Sequence, residues 1–239
     1  MFKIIPLLKM ILISSCSLIY GIGNSQSYNF PIKAGTKEWM KIQTHDDMIR
    51  ACKIPDDSLK NISTSRLIET CLSYPLMMDM LAFDNPKNGF INTYSNFNGF
   101  QELVGRGDVD TQLFDKFIHE LPQNIETIKG DIDRGSFTFR FTILEMMLSH
   151  DPILNKLDYN QQSQLIIDLI AKSEAKAKSV EYGWIGQIGL TYLLAKVLDK
   201  QKLFPSKNNQ LQIFIDQMIV SEQSTVVNIF TTARQVSNH

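Results

Sequence analysis

Apolar residues along this chain recur mostly at helical spacing. Leu165, Ile166, Leu169, Ile170 and Ser173 repeat on one broad face, which predicts an amphipathic helix over residues 160–178. Asp168, Lys172 and Lys176 read as its opposite, polar face. Residues 183–199 (GWIGQIGLTYLLAKVLD) carry apolar side chains on nearly every side. Such a helix is enclosed by neighbours, and this one is too short and too glycine-rich to span lipid. Leu113, Phe114, Phe117 and Ile118 form a further stripe. Leu211, Phe214, Ile215 and Met218 form another, and Val226, Ile229, Phe230 and Ala233 mark a last helix.

The first half of the chain reads as shorter helices. Thr44 followed by Asp47 has the spacing of a helix start. Pro55 suits the first turn of a helix through Leu59 and Ile62. Ser63, Thr64 and Ser65 cap one that carries Leu67, Ile68, Cys71 and Leu72 and ends before Pro75. Leu76, Met77, Met80 and Leu81 mark a helix that stops near Asn85-Pro86. Phe90, Tyr94, Phe97 and Leu103 mark one longer helix, weakened at Gly99 and closed at Gly105 to Gly107, after which Asp108 or Asp110 caps the next.

Residues 136–149 carry two conflicting patterns. Phe137, Phe139, Phe141 and Ile143 alternate with polar residues, as in a strand. Phe137, Phe141, Leu144 and Leu148 also share one helix face. With no second convincing strand to pair with, helix is the better assignment. The expectation is an all-α fold, an irregular multi-helix array (superhelix-like or an orthogonal bundle) of roughly nine or ten helices without substantial sheet. No fixed-period repeat is evident in the sequence. A polar, extended lead-in over 26–38 precedes a single helical domain over 39–239.

The amino terminus changes the picture of where this domain works. Lys3 and Lys9 precede an apolar stretch from Met10 to Ile22, and Gly23 and Ser25 offer small residues for cleavage before Gln26. A run of this length suits a secretory signal better than a membrane span. Residues 1–25 therefore read as a signal peptide, and the expected location is exported: periplasmic, cell-surface or extracellular. Ile13-Ser14-Ser15-Cys16 also resembles a lipobox, so Cys16 is a candidate for lipidation, which would anchor the protein to a membrane. The apolar run continuing through Leu18, Ile19 and Tyr20 argues the other way.

Composition narrows the partners. The whole chain has 24 basic and 25 acidic residues, and loss of Lys3 and Lys9 with the leader leaves 22 against 25. That balance, with no basic tract, argues against nucleic acid and against electrostatic membrane binding. Cys52 and Cys71 remain after cleavage, an even pair compatible either with one disulfide or with two buried thiols.

The stretch from Pro31 to Gln101 carries the PIK-x-GT-x-EW entry at Pro31 to Trp39 and Ala51-Cys52-x-Ile54-Pro55. It continues with Thr70-Cys71-Leu72-x-Tyr74-Pro75 and Asn98-Gly99-Phe100-Gln101-Glu102. In combination these resemble a family of exported, functionally uncharacterised proteins found widely in Bacteroidetes. The resemblance implies an envelope or extracellular setting and a helical fold, and it brings no catalytic residues with it.

Candidate chemistry is sparse. His45, His119, His150 and His239 are scattered, without the close pairs a metal site uses, and no P-loop, Rossmann or nucleophile-elbow pattern occurs. No cofactor, metal or catalytic residue is therefore expected. Gly183, Gly186 and Gly189 share a helix stripe that suits close approach of a neighbour. The alternative is a groove floor with Glu181 and Tyr182 at its mouth and Trp184 beside it. Asn92, Asn96 and Asn98 near Tyr94 and Phe97 interleave amides with aromatics, a composition able to hold sugar or peptide. The sequence thus points to a non-enzymatic interaction module with a protein or glycan partner. The competing reading is an exported hydrolase or lyase whose cleft draws on Glu102, His119 or Glu181.

Overall fold

A computed structural model describes residues 27–237; the segment expected to be a signal peptide, Cys16 and His239 lie outside the described residues. Among the described residues there are thirteen α-helices, two 3₁₀ helices and no strand, so the all-α expectation holds. The helices are more numerous than the periodicity indicates because several are only one or two turns long. In chain order they are α1 (Lys37–Met40), α2 (His45–Ala51), α3 (Asp56–Asn61), α4 (Thr64–Leu72), a 3₁₀ helix (Met77–Ala82), α5 (Pro86–Ser95), α6 (Asn98–Gly105) and α7 (Val109–His119). A second 3₁₀ helix (Pro122–Thr127) leads to α8 (Asp131–Ser149), α9 (Asp151–Leu154), α10 (Tyr159–Lys176), α11 (Gly183–Lys200), α12 (Asn209–Gln217) and α13 (Gln223–Ser237).

The helix starts follow local chemistry. Thr44, Ser63, Asn85, Asp158 and Asn208 each accept a backbone N–H in the first turn of the helix that follows, which satisfies one of its orphan donors. Asp108 stands at the start of α7, but its carboxylate accepts the Thr64 hydroxyl at 2.7 Å and gives α7 no side-chain cap. Residues 136–149 are helical, within α8. The lead-in is non-helical until α1, and Phe30 anchors it in the core.

Two expectations are corrected. The helix expected around Leu76 to Leu81 is a 3₁₀ helix, Met77–Ala82, not an α-helix. The predicted long helix around Phe90 to Leu103 is two, and the break falls at Asn96–Phe97, before Gly99. The cause is tertiary: the Asn98 amide accepts from Ile54 N–H at 3.0 Å and donates to Ile54 C=O at 2.7 Å, fixing the start of α6 against the loop before α3.

α8 and α11 pack along each other as the centre of the molecule, with α10 and α13 against α11 and with α4 and α7 against α8. α11 is buried from Gly186 through Leu198 with few gaps, as its all-round apolar pattern requires. The polar face assigned to α10 is also corrected. Asp168 is half-buried, but Lys172 is 5 % exposed and Lys176 not exposed at all. Both lysines lie on the stripe that runs through Leu165 and Leu169, at i+7 and i+11 from Leu165.

Lys176 reaches across three helices. Its Nζ donates to Glu145 Oε1 of α8 at 2.6 Å and to the Gly186 carbonyl of α11 at 2.6 Å. The Phe141 and Tyr182 rings lie 4.6 Å and 5.2 Å from that nitrogen. Glu145 is as fully buried as Lys176, and its Oε2 has no hydrogen-bond partner. Gly189 faces this carboxylate: a Cβ there would lie 2.8 Å from Glu145 Oε2 and 2.9 Å from Thr142 Cγ2. Burial holds the Glu145 carboxyl up at about 7, against the pull of Lys176, and depresses the Lys176 ammonium.

Breaking a buried pair costs more than replacing both members, because the survivor is left uncompensated. Lys176→Met is expected to lower unfolding free energy by about 3–5 kcal/mol, with Glu145→Gln/Lys176→Met recovering at least about half of that. With its cation gone, Glu145 titrates higher still. A folded pKa above the unfolded one gives stability that is full at low pH and falls as pH rises through the folded value. Denaturant unfolding from about pH 6 to pH 9 should therefore show stability of Lys176→Met declining with pH, and no such slope in the double variant. A Lys176→Met protein within about 1 kcal/mol of the unaltered chain contradicts this role.

Candidate functional site

The elements around Asp79 leave a cavity of about 300 Å³. It is lined by His45 and Ile49 of α2, by Tyr74, Asp79, Ala82 and Phe83 of and beside the first 3₁₀ helix, by Asn92 and Thr93 of α5, and by Asn96 just past its end. Its walls are largely apolar. This size is at the lower end of small-molecule pockets, about 300–1,000 Å³.

Local sequence puts each group in place. The Thr44 cap sets His45 at the first position of α2, from which its Nε2 meets Asp79 Oδ2 at 2.8 Å. Asn85 and Pro86 start α5. Gly89 then lets the 3₁₀ helix lie directly on α5, since a Cβ there would sit 2.1 Å from the Met80 carbonyl oxygen. Tyr74 is held by stacking on Phe97, with ring centroids 4.2 Å apart. Burial raises the Asp79 carboxyl above its ordinary value, while the neighbouring His45 pulls it down. Burial, with Cys52 and Asp79 nearby, also raises the Tyr74 phenol.

The polar groups of the cavity are incompletely used. The Thr93 hydroxyl oxygen is buried and has no hydrogen-bond partner. An uncompensated buried hydroxyl costs roughly 1–3 kcal/mol, and the Thr225 hydroxyl of α13 is in the same condition. Asn92 donates its amide nitrogen to the Asn88 carbonyl at 2.8 Å, and Asn96 donates its own to the Asn92 carbonyl at 3.0 Å.

The structure divides the residues singled out by the sequence. Of the Asn-aromatic cluster, Asn92 and Asn96 line the cavity, Tyr94 is buried with its hydroxyl donating to the Cys71 carbonyl at 3.0 Å, and Asn98 is committed to Ile54. Glu181 accepts from Arg134 at 2.6 Å and Ser179 at 2.5 Å, Tyr182 is buried and donates to the Pro122 carbonyl at 2.8 Å, and Trp184 is exposed. Glu181 and Tyr182 are thus spent on partners of their own, and Trp184 faces solvent. Gly189 is packed against α8 and serves close approach; a Cβ on Gly186 would meet the Tyr182 side chain at the start of its own helix, and Gly183, at φ +46°, faces open space. Glu102 pairs with Arg106, and His119 Nδ1 sits 2.8 Å from the Asp115 carbonyl on its own helix. Glu102, His119 and Glu181 are thus in separate hydrogen-bond networks.

Cys52 and Cys71 are both buried thiols, and no disulfide joins them; burial pushes the Cys71 thiol well up. Among the described residues no group of three or more His, Cys, Asp or Glu side chains is placed to hold a metal ion, and no helix is long and apolar enough to cross a membrane.

His45, Asp79 and Thr93 are the cavity residues that sequence reasoning missed. The available signal was Asp79 itself, a lone carboxylate inside the apolar run Leu76 to Phe83. Comparison with known proteins gives no help with the ligand: the chain matches no protein-family model, no curated protein and no solved structure.

Proposed function

We propose that this protein is a non-enzymatic binding module of the bacterial envelope or extracellular space, delivered there by residues 1–25, and that it holds its ligand in the cavity between α2, the first 3₁₀ helix and α5. The observation that carries this reading is a largely apolar recess of about 300 Å³ whose lining also holds His45, Asp79, Asn92, Thr93 and Asn96. Apolar walls with a few convergent polar groups are the usual form of a small-ligand site. The charge and apolar pattern of residues 1–25 supports the delivery.

One observation favours the competing hydrolase or lyase. A carboxylate that orients an imidazole, as Asp79 does His45, is a general-base arrangement. Mass analysis of a bound ligand after incubation separates the two readings, because a binding module returns it unchanged.

Screening a set of small sugars, amino acids and short peptides by amide chemical shifts is expected to find compounds that move residues 79–83 and 92–96. Ala82→Trp, a substitution at an exposed wall position, should abolish those shifts while changing the melting temperature by no more than about 2 °C. Shifts confined to other regions, or none at all, would overturn the site. Export is checked on protein taken from its own cells: the amino terminus should be Gln26 or its cyclised form. A lipid-modified Cys16 there would make the protein an anchored one, and retention of Met1 would end the export reading.

A further inference from the structure

The walls of the recess are unequally held. On one side the 3₁₀ helix is seated by Met77 and Met80, both buried, and lies on α5 at Gly89. α5 is itself rooted by the buried rings of Phe90 and Tyr94. On the other side stands α2, which alone among the described helices contains no buried residue. From Met40 to Ala51 the chain has none at all. The apolar hold of this stretch is Ile42, Met48 and Ile49, each only partly buried against the core. The side-chain hydrogen bonds of Thr44, Asp47 and Arg50 stay within α2 and its cap. The bond that ties α2 to another element is His45 Nε2 to Asp79 Oδ2, at 2.8 Å. Both ends of the stretch are fixed. Trp39 is buried before it. After it Cys52 and Ile54 are fully buried, and Asn98 holds both the N–H and the carbonyl of Ile54.

We infer that α2 is a lid: residues 40–51 come away from the recess between anchors at Trp39 and Ile54, and the His45–Asp79 bond is the latch. Segments with few buried contacts open at a small part of the free energy of global unfolding, and lids are drawn from them. The latch suits reversible opening. The His45 side chain is 55 % exposed, so water screens the pair and replaces its hydrogen bond when it parts. Once released, α2 does not stand as a helix. Its seven residues fall short of the roughly 12–15 at which an isolated helix is marginal in water. Opening therefore breaks its own backbone bonds, such as Met48 N–H to the Thr44 carbonyl and Cys52 N–H to the Met48 carbonyl. Behind α2 lies the buried Cys52 thiol, close to Tyr74 of the wall. That the lid serves ligand entry rests on the recess being the ligand site; that α2 opens does not.

Amide hydrogen exchange of the folded mature chain reads the opening directly. Relative to their intrinsic rates, the amides of Met48 and Cys52 are expected to exchange at least about a hundredfold faster than those at the centre of α8 and α11. Low concentrations of urea should leave the α2 rates nearly unchanged and raise those of α11 steeply, because local opening exposes little surface. His45→Ala, at an exposed position, should speed α2 exchange about three- to tenfold. Iodoacetamide gives a second reading, since it reaches Cys52 through the open lid and Cys71 of α4 only through global unfolding. Cys52 should react at least about tenfold faster than Cys71. If the α2 amides share the rate and urea dependence of α11, or if the two thiols react alike, α2 belongs to the cooperative core and the lid is overturned. If His45→Ala leaves α2 exchange within about 1.5-fold, the latch is overturned. None of these outcomes bears on whether the recess holds a ligand, which the amide shifts of residues 79–83 and 92–96 decide. The unaltered chain settles the lid by itself, so a variant that does not fold leaves the test intact.

Discussion

The arrangement of α8, α10 and α11 turns on one buried charge pair. Lys176 and Glu145 have no contact with solvent, so neither could stay charged without the other, and both sit where Leu-like residues would otherwise pack. Each fixes a register. Glu145 fixes a position along α8, Lys176 one along α10, and the Gly186 carbonyl ties both to the first turns of α11. The absence of a side chain at Gly189 gives the carboxylate its space. Packing of apolar surface supplies the bulk of the stabilisation but is tolerant of small slips. A buried pair is not, because a shift of one turn strands a charge.

The same device recurs at the helix ends. A fold made of many short helices leaves many carbonyls without an intrahelical partner, and in this protein distant cations meet several of them. Lys172 donates to the Ile118 and Glu120 carbonyls at the end of α7, at 3.2 and 2.7 Å, with its nitrogen 5.0 Å from the Phe117 ring centroid. Arg106 spans the end of α3, donating to the Leu59 and Ile62 carbonyls at 2.8 Å each. Lys156 closes α6 through the Val104 and Arg106 carbonyls. Positive charge at a helix carboxyl end is favoured by the dipole as well as by the hydrogen bond. These contacts join elements about fifty residues apart in the chain, so the array is fastened by side chains where its loops are too short to do so.

The cavity arises from the same economy of helix packing. Gly89 brings the 3₁₀ helix onto α5 at backbone contact, and the short α2 closes over one side with a His–Asp bond. What remains between them is a recess in which Thr93 has lost water without gaining a partner. Elsewhere the buried hydroxyls Thr142 and Ser149 find backbone carbonyls within their own helix, as helical Ser and Thr commonly do. Thr93 does not, and neither does Thr225 of α13.

Much of the fold was legible from local chemistry. Caps at Thr44 and Ser63, the stop before Pro75 and the enclosed pattern of 183–199 depend on near neighbours in sequence, and the structure keeps them. The fates of Lys172 and Lys176 were legible in part, since their spacing from Leu165 and Leu169 already put them on the buried stripe; charge alone suggested the opposite. Composition also misdirected the reading of Asn98 and Tyr94, which look like binding residues and are spent on Ile54 and Cys71. By itself the sequence determined the helical class, most helix starts and the apolar faces, because propensity, capping and periodicity act within one or two turns. Only the tertiary structure decided which charges are buried, where α5 gives way to α6, and that His45, Asp79 and Thr93 share a cavity. Those outcomes depend on contacts between segments tens of residues apart, and no local pattern encodes which distant partner will satisfy a given polar group.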